Sequence, residues 1–109
     1  MTAATIEPVN RTPTTALTRA IGPVPAGEEW SLAVRVCVSG AGDDIFDLQL
    51  RRTDGSNVAY RARAWPVPAG SGTYDLETRL TLPAGYELWH RSGAGYVDAS
   101  YTGTRRVTG

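Results

Sequence analysis

The chain has no lysine and only one cysteine, one histidine, one phenylalanine and one methionine among its 109 residues. Each shortage excludes something. A single cysteine, Cys37, cannot close an internal disulfide. With one histidine beside it, the nitrogen and sulfur ligands of a structural zinc site are too few. Without lysine there is no amine for Schiff-base chemistry and no phosphate-binding lysine of the P-loop kind. No apolar run approaches the ~20 residues that a membrane-spanning helix needs. The segment from Met1 to Thr5 has neither the basic flank nor the apolar stretch of a secretion signal. Eleven arginines balance eleven carboxylates, so no net field draws nucleic acid or anionic lipid.

What is present is 41% hydrophobic residues in a chain of one-domain length. Folding at this size buries roughly 65% of the unfolded surface, so one core suffices without metal or disulfide. Residues 1–16 are rich in Thr, Pro and small side chains and show no period of 2 or 3.6. They read as an extended arm outside the core, free or laid on a neighbouring molecule, with Ile6, Val9 and Arg11 as its candidate contacts. Removing the arm is then expected to leave a folded domain that assembles poorly.

From Leu17 onward the period is 2. Trp30, Leu32, Val34, Val36 and Val38 alternate with Ser31, Ala33, Arg35, Cys37 and Ser39, the pattern of a strand with one buried face. The alternation returns at Phe46, Leu48 and Leu50, at Val58, Tyr60, Ala62 and Ala64, and at Tyr74 to Leu82. Shorter strands are expected at Leu17 to Ile21, Tyr86 to His90 and Tyr96 to Thr102. About seven to eight strands and almost no helix predict an all-β fold, a single antiparallel β-sandwich of jelly-roll or immunoglobulin-like type. It spans residues 17–104, with 105–109 as a short tail.

The two faces also constrain the central hairpin. A two-residue turn at Asp54-Gly55 would set Leu48 opposite Arg61 and invert one strand. A three-residue loop, Thr53-Asp54-Gly55, with glycine in a left-handed bulge position, pairs Arg52 with Ser56 instead. It predicts Leu50 opposite Val58, Leu48 opposite Tyr60, Phe46 opposite Ala62, and Asp47 against Arg61 on the outer face.

Pro-Ala-Gly occurs three times, at 25–27, 68–70 and 83–85, each ahead of an alternating run. Proline presets the second position of a turn and glycine suits the fourth, so these read as turns that stop one strand and launch the next. An anion cradle would need a helix to follow, and none does.

The search for chemistry returns little. His90 stands between Trp89 and Arg91, where catalysis would need a nucleophile or partner carboxylate beside it, and it reads as a surface or rim residue at a strand end. Asp43, Asp44 and Asp47 form the densest acidic cluster, but a solvated turn explains them better than calcium, which wants six to eight oxygens. Trp30 shares the parity of its strand's buried face, whereas Trp65 and Trp89 lie opposite in parity to their apolar neighbours and are candidates for exposure. An exposed tryptophan serves a protein interface, where Trp, Tyr and Arg dominate binding, or a sugar-binding face, where the ring stacks on a pyranose. Arg61 and Arg63 share the outer parity with Arg51, and Arg105 and Arg106 stand near the end. The acidic residues interspersed among them leave no basic stripe for nucleic acid.

A resemblance rests on Val24-Pro25-Ala26-Gly27, on the small residues closing the alternating strand (Val36-Cys37-Val38-Ser39-Gly40), and on the late run from Leu80 to Trp89. Between about Ile21 and Gly103 the chain resembles the small β-sandwich structural proteins of tailed-bacteriophage virions. Many of these carry a "VPAG" turn early and an "L-x-L-x-A-G-D-x-L" turn late. Here Tyr86-Glu87 stands where Asp commonly follows the late glycine. The resemblance implies a non-enzymatic virion component without cofactor. A capsid decoration protein comes first, a neck, collar or tail component second, built as a homo-oligomer and contacting the major capsid protein or neck and tail proteins. The interface residues expected are Ile6, Val9, Arg11, Arg61, Arg63, Trp65, Trp89, Arg105 and Arg106. A carbohydrate-binding sandwich module and an enzyme centred on His90 are the alternatives.

Overall fold

The computed structural model describes residues 3–38, 42–70 and 72–107. Ser39, Gly40 and Ala41, where the Trp30 strand was expected to end and turn, lie outside the described residues, as do the last two residues of the expected tail. The described residues form nine strands and no helix: β1 (Ala3–Thr5), β2 (Val9–Arg11), β3 (Thr18–Ile21), β4 (Glu28–Val38), β5 (Asp44–Arg52), β6 (Ala59–Val67), β7 (Tyr74–Pro83), β8 (Tyr86–Ser92) and β9 (Val97–Val107).

The strands make two antiparallel sheets packed face to face. One runs β1-β9-β4-β7 with β2 also on β9, and the other runs β3-β8-β5-β6. The pairings are nested: β5 with β6, β4 with β7, β3 with β8, and β2 with β9. The chain is thus one long antiparallel ribbon rolled onto itself, the jelly-roll form of the sandwich. Of the two expected sandwich types, this is the first.

The two-residue rhythm fills the space between the sheets. Leu32, Val34 and Val36 of β4 face Phe46 and Leu48 of β5, with Leu82, Leu88, Val97 and Tyr101 around them, all essentially excluded from solvent. Trp30 packs against this core half-buried, its indole N–H donating to Glu28 Oε1 at 3.1 Å.

The three Pro-Ala-Gly turns have a common task that spacing did not reveal. They lie between β3 and β4, between β6 and β7, and between β7 and β8, and each of these connections carries the chain from one sheet to the other. Gly27, Gly70 and Gly85 all have φ near +80°, between +73° and +82°, a conformation that glycine adopts without steric penalty. In the first turn the bond runs from Glu28 N–H to Pro25 O, so proline is the first residue and glycine the third, one step later than expected. Val24, just ahead of the first turn, exchanges backbone bonds with Gly85 and Tyr86 of the third, tying two crossings together.

The central hairpin combines one confirmed feature and one correction. The loop is the three-residue type: Gly55 N–H donates to Arg52 O and Arg52 N–H to Ser56 O, with Gly55 at φ +86°. Beyond it, the expected register is lost. Leu50 faces Ala59, Leu48 faces Ala62 and Phe46 faces Trp65, because β6 takes up extra residues. Two residues with positive φ mark the disturbance, Asn57 at +52° and Ala64 at +50°. Val58 and Tyr60, expected on the inner face, are consequently exposed.

The arm is also corrected. It does not stand outside the core: β1 and β2 pair with β9 along its length, and Ile6 N–H donates to Gly103 O at 3.0 Å. Ile6 is buried in the hydrophobic cluster, and Val9 packs against it. The reason is an open edge. Without the arm, β9 would present unpaired N–H and C=O groups to solvent. Arg105 and Arg106, placed in a tail by sequence, continue β9, which extends to Val107. Gly103 leaves no room for a side chain, since a Cβ there would run into Ser31 O on β4.

Ile6→Ala is therefore expected to lower the unfolding free energy by about 2–4 kcal/mol, read as a drop in urea midpoint. Deleting residues 2–15 should lower it further. A truncated chain as stable as the full one would return the arm to the role of an accessory.

Candidate functional site

His90 is not on the rim. It projects from β8 into the core, 1% exposed, with its Nδ1 2.7 Å from the Tyr101 hydroxyl and the Phe46 ring edge-on to it. Burial, and then the charge of Arg11, hold its imidazole down to about 4, so the ring is neutral at pH 7. Burial likewise raises the Tyr101 phenol above its ordinary value. A neutral ring sealed between two sheets and bonded to a phenol is suited to holding the sheets together. It is poorly placed to meet a solute.

The three aspartates are separated by their partners. Asp43 Oδ1 accepts the Ala69 N–H at 2.8 Å. Asp44 organises the loop between β8 and β9, accepting from Ser92 Oγ and from the N–H groups of Ala94 and Tyr96, as well as from Ile45. Burial alone would raise its carboxyl, but these bonds outweigh that and hold it below the usual value. Asp47 faces Arg91, not Arg61 as expected: Arg91 Nε donates to Oδ2 at 2.8 Å, and the N–H of the bulged Ala64 donates to Oδ1. Arg61 instead reaches Glu77 Oε1 at 2.9 Å, closing the side of the sandwich between β6 and β7. No group of three metal-ligating side chains occurs among the described residues.

Two surfaces stand out. The first is the free edge formed by β6. Of the large exposed hydrophobic side chains, Ile45, Val58, Tyr60 and Trp65 all lie on β6, beside it in the hairpin, or opposite it on β5. Tyr60 is 45% and Trp65 44% exposed. Arg61 and Arg63 stand among them, the Arg63 guanidinium 4.9 Å from the centre of the Tyr60 ring. Bulges, Pro66 and arginines blunt this edge against indiscriminate strand pairing.

The second is the outer face of the same sheet. Arg19, Trp89, Gln49 and Tyr60 form one row across β3, β8, β5 and β6, each opposite the next. Arg51 opposes Glu87 in the adjoining row. Arg51 does not pair with that carboxylate. Its guanidinium lies 3.6 Å over the Trp89 ring, a contact worth about 0.5–2 kcal/mol. Glu87 takes the Trp89 indole N–H at 2.8 Å and lies 3.7 Å from Arg19.

The interface residues chosen from sequence are thereby divided. Arg61, Arg63 and Trp65 gather on β6, while Trp89 lies two strands away on the outer face, half-buried. Ile6 and Val9 belong to the chain's own packing. Arg11 is exposed at the end of β2, lining a surface hollow of about 440 Å³ in which Thr12 already bonds Asp98. Arg105 and Arg106 on the opposite sheet pair with Glu28 and Glu29. Sequence reasoning missed Gln49 and Glu87, whose parity marked them outward-facing but whose burial depends on Trp89 and its neighbours. No known family pattern matches the chain, and no curated protein matches it. The likeness to virion proteins therefore rests on the turn and strand residues alone.

His90 sets a pH dependence. The unfolded chain takes up this proton near pH 6.5 and the folded chain near 4, so its contribution is complete above 6.5 and lost as pH falls toward 4. The loss should reach about 3 kcal/mol. Urea midpoints measured from pH 7 to 4 should decline in the wild type, and His90→Phe should flatten that decline.

Proposed function

We propose that this chain is a non-enzymatic structural protein of a bacteriophage virion, acting as a capsid decoration protein that binds neighbouring subunits through the β6 edge. The virion assignment comes from the resemblance of its turns and strand pattern, because a jelly roll by itself carries many functions. The observation that carries the contact is the gathering of Ile45, Val58, Tyr60 and Trp65 with Arg61 and Arg63 along one free edge. Exposed aromatics flanked by arginine are the composition of binding hot spots. The arm is not needed for this role, since its strands already seal β9. Homo-oligomers related by symmetry would repeat the same edge around a particle.

Electron microscopy of the purified chain, mixed separately with tailed-phage capsids and tails, tests the reading. Capsids should be decorated, and Trp65→Ala should weaken that binding by about tenfold or more. Its urea midpoint should fall by much less than for a core substitution such as Ile6→Ala, because nearly half of the side chain is exposed. Binding to tails alone would replace decoration by a neck or tail role. A strictly monomeric chain that binds neither particle overturns the proposal.

A further inference from the structure

Among the described residues three buried side-chain polar atoms have no hydrogen-bond partner, Gln49 Oε1, Arg51 Nε and Glu87 Oε2, the last having only a longer ion pair with Arg19 at 3.7 Å. All three lie on the outer face of the β3-β8-β5-β6 sheet, around Trp89. Gln49 is only 5% exposed and Glu87 only 3%. Native proteins leave only a few such atoms per hundred residues without a partner. Here all three gather in one patch, on the side of a sheet that faces away from the core, which makes that patch the candidate for a partner outside the chain.

The pairing that would relieve two of them is at hand. Arg51 and Glu87 are directly opposed across β5 and β8, so their side chains share one face. Arg51 instead covers the Trp89 ring. If its guanidinium swung across to Glu87, the Arg51 Nε–H and Glu87 Oε2 would satisfy each other and the Trp89 ring would be uncovered. Trp89 itself would stay in place, because Glu87 Oε1 holds its indole N–H. The uncovered patch would then present a flat apolar ring, the carbonyl oxygen of Gln49 as an acceptor and the guanidinium N–H groups of Arg19, opposite Trp89 on β3, as donors.

We propose that this patch binds a pyranose saccharide, admitted when Arg51 moves from Trp89 to Glu87. A pyranose has an apolar C–H face for the ring and hydroxyl groups that both donate and accept, matching an acceptor and donors set around one aromatic. A protein partner is better served elsewhere on the molecule: the exposed apolar side chains gather at the β6 edge, whereas this patch offers one ring in a polar frame. The site does not rest on the virion reading, and a chain that decorates no particle could still hold it.

The test uses the full ¹⁵N-labelled chain, with millimolar chitotetraose, maltohexaose and trigalacturonate as probes. The three indole N–H signals, assigned by Trp→Phe variants, are followed by NMR. At least one probe should move the Trp89 signal and leave those of Trp30 and Trp65 in place. Gln49→Leu should weaken that binding by about tenfold or more while keeping or raising the urea midpoint, since it removes an unpaired buried carbonyl. Arg51→Ala, which uncovers the ring, should bind at least as tightly as the wild type. A Trp89 signal unmoved by all three probes overturns the proposal, as does movement confined to Trp65. So does a Gln49→Leu protein that unfolds at lower urea, which would mean that the amide is already satisfied within the fold.

Discussion

Everything in this molecule depends on closing one apolar slot between two sheets. Leu32, Val34 and Val36 on one side and Phe46 and Leu48 on the other are fully withdrawn from water, and apolar burial of this kind supplies the main driving force of folding. The polar groups admitted to the slot are paired. His90 is bonded to Tyr101, and Ser92 to Asp44. A buried polar group without a partner would offset much of what the apolar contacts contribute.

Closing the slot creates edges, and the chain treats them differently. At β9 the edge is covered by the molecule's own arm, with Ile6 entering the core to anchor it. On the opposite side β6 stays open but is disordered in register by bulges and tied to β7 through Arg61 and Glu77. One edge is spent on stability and the other is left for contact. The same division separates the outer faces. Arg106 pairs with Glu29 on the first sheet, whereas Arg51 and Arg63 on the second lie over aromatic rings. A guanidinium on a ring keeps hydrogen-bonding groups at its rim, which a bidentate ion pair would consume.

The candidate surfaces were legible only in part. Arg61, Arg63 and Trp65 were picked out because exposed arginine and tryptophan are binding residues, and they do assemble on β6. Tyr60 was assigned inward by parity, and the extra residue taken up around Asn57 turned it outward. Gln49 and Glu87 were not singled out as site residues. Their burial arises from the aromatic and arginine side chains packed around them on neighbouring strands, a relation between residues far apart in the chain that no local pattern encodes.

From the order of residues alone came the all-β class, most strand positions, the three-residue hairpin loop and the apolar faces of β4 and β5, because these depend on side-chain alternation and turn chemistry within a few residues. Tertiary structure alone decided the nested pairing of a jelly roll, the folding of the arm onto β9, the sheet-to-sheet course of the Pro-Ala-Gly turns, and the placing of His90 in the core. Those features follow from which edges and faces meet in space. The free energy of such meetings is shared by segments distant in the chain, so it leaves no mark on either segment read by itself.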